Sequence, residues 1–266
     1  MTLNLEEAVN CCRLSAIAYA PELPTDVPHL GLRAWESRGT RALLSQDGTR
    51  QVLAFRGTES LVNWCQNLDF DLVQGFGGCL HVGFYEALTY IWSELRTNLN
   101  RDRPILLTGH SLGGALATIA ALDLHQRDYR VTGVYTFGSP RVGNRAFAAG
   151  YDLALRSRTH RFVYGQDTVT RVPPRSFDYS HGGNFVGLRA DGRFTEDPED
   201  WKQFTEEVTG VNILIWALSR LYRRYSIRLK VKKLLSLSQG IKDHALGNYE
   251  RALVLALKQS NHEASS

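Results

Sequence analysis

Four cysteines in 266 residues are too few for a disulfide scaffold at this length. Cys11 and Cys12 are adjacent and make no metal-ligand spacing with Cys65 and Cys79, so all four read as reduced, structural thiols. Long apolar runs are missing as well. Nothing approaches the roughly 18 to 20 uninterrupted apolar residues of a spanning helix, and the nearest run, Val211 to Leu218, already contains Asn212. No membrane-spanning helix is therefore expected. Positive charge is lacking at the N-terminus, where Glu6 and Glu7 stand, and Arg13 interrupts any apolar segment before Ala20. No Sec-type leader is expected, which places the chain in the cytoplasm or at the periphery of a membrane and leaves other export routes open. Internal repeats and low-complexity linkers are absent too, so nothing divides the chain.

What is present suits one substantial core: 43% of the residues are hydrophobic, and an α/β domain of this length commonly stands alone. The expectation is a single domain over residues 1–266 with an inserted segment at about 205–240. The formal charge of +4 is modest but unevenly spread. Between Trp216 and Lys258, ten Lys and Arg residues face only Asp243 and Glu250, which leaves the rest of the chain net acidic. Val211, Leu214, Ile215, Leu218 and Leu221 fall near one helical face of the inserted segment, with Arg220, Arg223 and Arg224 toward another. A basic amphipathic stretch over about 208–238 suits peripheral contact with an anionic lipid surface, not nucleic acid. The blander alternative is a helix on the protein's own core with a solvated basic face. Oligomeric state is not written in the sequence.

Short apolar segments alternate with longer helical ones. Strands are predicted at Ala42 to Ser45, Val52 to Phe55, Ile105 to Thr108, Gly133 to Phe137, Arg161 to Tyr164 and Asn184 to Leu188. Helices are predicted at Leu3 to Ala20, Gly83 to Asn98, Leu112 to Gln126, Asn144 to Ala154 and Gly247 to Gln259. That rhythm implies an α/β fold with a mostly parallel central sheet covered on both faces. Gln46-Asp47-Gly48 is a hairpin signal and adds an antiparallel edge.

Within this frame, Gly109-His110-Ser111-Leu112-Gly113 follows an apolar strand and opens an alanine-rich helix. Glycines at 109 and 113 let the backbone turn tightly and hold Ser111 with its hydroxyl presented, which is the arrangement of a nucleophile elbow. A serine hydroxyl is a poor nucleophile unless a histidine takes its proton and an acid orients that histidine. Downstream of Ser111, His125 lies on the helix leaving the serine, His160 opens a strand, and His262 sits in a polar tail. His181 precedes a strand, where a histidine bonding nearby backbone is the ordinary reading. His244 lies between the last strand and the last helix, where loops of such folds deliver the base. Asp167 follows the strand ending at Tyr164 and is preferred as the acid, because catalytic loops gather at the carboxyl ends of parallel strands. Asp178 and Asp191 fall in polar turns, and Asp243, adjacent to the histidine, is expected to cap the following helix. One oxyanion donor is expected at the N–H of Leu112. A second belongs after an earlier strand, where Thr58 stands either as that donor or as a helix cap.

Several stretches in order resemble the fungal-type, or class 3, lipases. They are Phe55-Arg56-Gly57-Thr58, Asn63-Trp64, His81-Val82-Gly83-Phe84, Gly109 to Ala115, Thr136 to Gly143, Asp167 with Val169 and Pro173, and Asp243-His244 with Tyr249. The resemblance spans roughly Val52 to Tyr249, while Thr205 to Gly240 exceeds what the family pattern supplies. It implies a three-layer α/β-hydrolase with Ser111, Asp167 and His244 as triad and Thr58 and Leu112 as oxyanion hole. It further implies a structural His81 and a lid near Glu59 to Asp71. The expected activity is carboxylic-ester hydrolysis through an acyl-enzyme, on acylglycerols or smaller esters, with no metal or organic cofactor. Because His244 must be neutral to act as base, activity is expected to fall in acid. Phospholipase or acyltransferase activity would use the same triad, and a lipid-binding module without catalysis is the reading from another class.

Overall fold

The computed structural model describes residues 3–26, 30–58, 70–198 and 239–264. Helix α1 (Leu5–Ile17) leads into strands β1 (Arg33–Ser37), β2 (Thr40–Gln46) and β3 (Gln51–Phe55). A small hairpin of β4 (Leu72–Gly75) and β5 (Gly78–His81) runs into helix α2 (Val82–Thr97). Then β6 (Ile105–His110), α3 (Leu112–Gln126), β7 (Val131–Phe137), β8 (Gly143–Asn144), α4 (Arg145–Leu155) and β9 (Thr159–Tyr164) alternate. The short β10 (Tyr179–Ser180), β11 (Asn184–Leu188) and β12 (Phe194–Thr195) precede helices α5 (Gln239–Asp243) and α6 (Leu246–Glu263).

Eight strands form one sheet in the order β1-β2-β3-β6-β7-β9-β11-β12, parallel from β3 through β11 and antiparallel at both margins. A side-chain period of two sends alternate residues of each strand into opposite layers. Leu53 and Phe55 of β3 join Ile105 and Leu107 of β6 in a core under α2, α3 and α4. Val52, Ala54 and Leu106 join a second core with α1 and α6. Burial on both faces explains why Gln51–Phe55 and Ile105–His110 are covered throughout. This is the three-layer α/β-hydrolase architecture expected above.

Local chemistry accounts for the element ends. Asn4 caps α1 by accepting from the Glu7 N–H at 3.0 Å, and Asn144 caps α4 by accepting from the Phe147 N–H at 3.0 Å. The β2–β3 hairpin turns where predicted: Asp47 accepts from the N–H groups of Thr49 and Arg50, and Gly48 takes φ 89°. Missing from the sequence reading are β1 and a second, four-stranded sheet in the order β10-β8-β5-β4. Cys11 and Cys12 are buried, and with Cys79 they are free thiols among the described residues, while Cys65 lies outside them. The lid anticipated at Glu59 to Asp71 and the insertion at about 205–240 likewise fall almost wholly outside the described residues. Among the described residues, no helix is long and apolar enough to cross a membrane.

One buried contact ties α2 to α3. Asp123 accepts from Trp92 Nε1 at 2.9 Å and Arg96 Nη1 at 3.2 Å, with the Arg127 guanidinium also 2.9 Å away. The exposed Arg127 contributes little, but Asp123→Ala leaves the indole N–H buried without its acceptor. We expect that substitution to lower the unfolding free energy by about 1 to 3 kcal/mol. Chemical denaturation checks it, and a loss below about 0.5 kcal/mol would contradict the assigned role.

Candidate active site

Ser111 sits between β6 and α3 with φ 59° and ψ −130°, a region that costs a non-glycine residue roughly 1 to 3 kcal/mol. Two glycines allow the turn. A Cβ on Gly109 would stand 2.2 Å from the Gly113 carbonyl oxygen, and one on Gly113 would stand 2.1 Å from the Phe55 carbonyl oxygen. A side chain at 109 would force β6 and the start of α3 apart, and one at 113 would force α3 from the end of β3. The Ser111 N–H is bound to the Phe137 carbonyl at 2.9 Å, which pins the elbow to β7. Leu112 opens α3, so its N–H has no intrahelical acceptor and lies at the positive end of the helix.

Asp167 follows β9 and is fully buried, with its N–H bound to the Tyr164 carbonyl. Its Oδ1 accepts from the Val169 N–H at 2.8 Å. Its Oδ2 accepts from His244 Nδ1 at 2.7 Å and from the Tyr249 hydroxyl at 2.5 Å. Burial, then the Asp167 charge, drive the Tyr249 hydroxyl well above its ordinary range, so it stays protonated and donates. His244, itself buried, therefore has its Nδ1 proton committed, and its Nε2 has no partner among the described residues. That is the nitrogen a base needs free.

Ser111 and His244 belong to one small space. His110, next to the serine, lies with its ring 4.4 Å from that of His244. A Cβ on Gly138 would come within 2.8 Å of His244 Cε1 and 2.7 Å of Asp167 Oδ2, and one on Gly57 would lie 3.1 Å from Ser111 Cβ. Thr58 borders a recess of about 450 Å³ together with Ala16, Tyr19, His110, His244 and Leu246. The structure thus brings Asp167, His244, His110 and Thr58 together around the elbow. Among the described residues no cluster of His, Cys, Asp and Glu suits a metal ion.

The competitors lie elsewhere. Asp178, at φ 65°, pairs with Arg145 at 3.5 Å, and Asp191 pairs with Arg193 in an exposed turn. His181 donates from Nε2 to the Thr170 carbonyl at 2.7 Å, and His81 caps α2 while stacking on Phe84. Asp243 corrects an expectation: it does not cap the last helix, whose N-cap residue is Ala245. Instead its Oδ2 accepts from the Gln166 N–H at 2.7 Å, clamping the residue before Asp167 to the residue before His244. The short helix α5 ends at Asp243 and points the carboxylate back at the acid loop. Tyr19, His110, Gly138 and Tyr249 carry no role in the sequence reading of the site. Only Tyr249, five residues after His244, offered a local cue.

Burial has a measurable consequence for three histidines, His181 being held well below the ordinary imidazole range by burial and then by Arg161 and Arg141. His110 is held well below the ordinary imidazole range by burial and then by neighbouring His244, and His160 is lowered mainly by burial. Below pH about 6.5 the unfolded chain protonates these rings while the folded chain keeps them neutral, so the unfolded state binds more protons. Their stabilising contribution is complete above that pH and shrinks as pH falls. Unfolding free energy should drop between pH 7 and 5 by up to about 1.4 kcal/mol per pH unit for each ring. Melting temperatures across that range test this, and a flat profile would refute it.

The three-layer sheet, with a strained serine at a strand-to-helix elbow and a buried Asp–His pair at its edge, is the architecture of the α/β-hydrolase fold. Residues 52–177 match the family model described as Lipase (class 3). It is 38% identical over 160 residues to a secreted mono- and diacylglycerol lipase of Fusarium solani, covering 54% of this chain and 46% of that protein. It is 30% identical over 250 residues to a triacylglycerol lipase of Ricinus communis, covering 68% of this chain and 47% of that one. The Rhizomucor miehei lipase propeptide complex superposes with a TM-score of 0.61 at 28% identity, over 69% of this chain and 68% of the other. The chain spans about half the length of the sequence relatives it matches.

Proposed function

We propose that the chain is a serine carboxylic-ester hydrolase that cleaves acylglycerol esters through an acyl-enzyme. The observation that carries this reading is the 2.7 Å hydrogen bond from His244 Nδ1 to Asp167, which leaves Nε2 free beside the Ser111 elbow. The Ser111 hydroxyl attacks the ester carbonyl as its proton passes to His244 Nε2. The oxyanion is met by the N–H groups of Leu112 and Thr58, the tetrahedral adduct collapses, and the alcohol departs with the proton from His244. Water then repeats the sequence in reverse, releasing the carboxylic acid and restoring Ser111. Asp167, held by three donors, keeps His244 in the required tautomer and balances the imidazolium.

Acylglycerols are favoured because relatives bear the names mono- and diacylglycerol lipase and triacylglycerol lipase. The mainly apolar recess beside His244 also suits an alkyl chain. The basic stretch 208–238 is assigned to peripheral contact with lipid surfaces on its sequence alone. The test is hydrolysis of p-nitrophenyl esters from short to long acyl chains beside acylglycerol emulsions and anionic phospholipid vesicles. Faster turnover of long-chain esters and emulsions is expected. Preference for short soluble esters would demote the lipase reading to esterase, and cleavage of the vesicle lipid alone would make it a phospholipase.

A further inference from the structure

A chain of contacts runs from the Thr58 loop to the His244 loop beside the nucleophile. His110 Nε2 lies 2.7 Å from the main-chain carbonyl of His244, and His110 Nδ1 lies 2.9 Å from the Tyr19 hydroxyl. A carbonyl only accepts, so Nε2 carries the ring proton. His110 is buried and neutral, so Nδ1 is a bare acceptor and the Tyr19 hydroxyl must donate to it. The Tyr19 oxygen also lies against the main chain of Gly57. A Cβ on Gly57 would stand 2.1 Å from that oxygen, so glycine is what lets the hydroxyl approach. Both hydrogen bonds run in one direction, Tyr19 to His110 and His110 to the His244 carbonyl.

The two ends of this chain matter for chemistry. Gly57 precedes Thr58, and the His244 carbonyl belongs to the residue read above as the base. Tyr19 sits just past α1, where its N–H is bound to the Ala16 carbonyl, so a rigid element supplies the hydroxyl. We infer that Tyr19, acting through His110, is a positioning residue that sets the oxyanion loop and the His244 loop at their working separation across Ser111. This inference rests on the ester-hydrolase reading. Neutral His110 also keeps positive charge off a ring 4.4 Å from His244, which must itself become cationic during turnover. Without the Tyr19 hydroxyl, His110 Nδ1 loses its donor and only the His244 carbonyl still favours the Nε2 tautomer. The proton on Nε2 then has a competing site on Nδ1, and the bond to the His244 carbonyl is made only part of the time.

Tyr19→Phe keeps the ring and removes only the hydroxyl. It should lower kcat about ten-fold or more, as small displacements of catalytic groups do, while KM stays within about two-fold and the melting temperature is retained. If Tyr19 served only to pack, the phenylalanine variant would match the parent. A second arm replaces His110 by Gln, whose amide N–H reaches toward the Nε2 position, and by Leu, which donates nothing. The glutamine variant should keep more of the parent kcat than the leucine variant. Parent-like kcat in Tyr19→Phe, or glutamine no better than leucine, overturns the inference while leaving the hydrolase reading intact. A parent protein that hydrolyses no ester and takes no fluorophosphonate at Ser111 overturns both.

Discussion

Ser111→Ala should abolish ester hydrolysis while leaving the fold in place, with kcat falling by about four to six orders of magnitude, as loss of a triad nucleophile does. The substitution is unusually clean here. The N–H of residue 111 still reaches the Phe137 carbonyl, and alanine has the same Cβ to place in the same turn. Backbone strain at φ 59° is thus carried equally by parent and variant, and the melting temperature should barely move. What disappears is the oxygen that forms the acyl bond. A fluorophosphonate should therefore label the parent and not the variant, and p-nitrophenyl ester turnover should fall to the level left by the oxyanion donors and binding alone. Persisting stoichiometric label on Ser111→Ala would show that another nucleophile does the work. Loss of the label together with unfolding would show that the elbow needs the hydroxyl structurally.

The elbow was readable from sequence because every requirement is local: an apolar strand before it, an alanine-rich helix after it, and glycines where a Cβ would meet backbone. The strands of the parallel core were readable for a related reason. Gln51–Phe55 and Ile105–His110 are buried on both faces and show near-continuous apolar runs. Strand β1 buries only Trp35, so its pattern carries no comparable signal. The small sheet escaped notice because its hairpin turns on Phe76 and Gly77, at φ 55° and 76°. A phenylalanine in that region contradicts the rule by which such turns are recognised. Asp243 shows a different limit. Adjacency to His244 rightly argued that the two side chains diverge, but not that the carboxylate would reach Gln166, 77 residues earlier. Tyr19 lies 91 residues from His110 in the chain, and no periodicity or spacing connects them. Local chemistry is written in local sequence; the supports of a site are tertiary contacts and surface only with the fold.

Asp167→Asn should cost about four orders of magnitude in kcat, roughly 5 kcal/mol of transition-state stabilisation, with substrate binding little changed. The arithmetic of donors and acceptors at this buried group dictates the outcome. Asp167 offers two oxygens to three donors: Val169 on Oδ1, His244 and Tyr249 on Oδ2. Asparagine has one oxygen and an NH2 group. If the oxygen keeps the place of Oδ2, the amide N–H bonds face the Val169 N–H, and two donors are opposed in a site closed to water. With the amide turned the other way, the NH2 group faces Nδ1 of His244. The imidazole then answers by moving its proton to Nε2, the atom that must accept the proton of Ser111. In either orientation the charge that would balance an imidazolium is gone. The first outcome opposes the Val169 N–H and spares the tautomer; the second opposes the Tyr249 hydroxyl and disables the base. Thermal melting and kcat measured on the same preparation separate the two. A variant within about ten-fold of the parent would remove Asp167 from the triad, and no other aspartate among the described residues is hydrogen-bonded to His244.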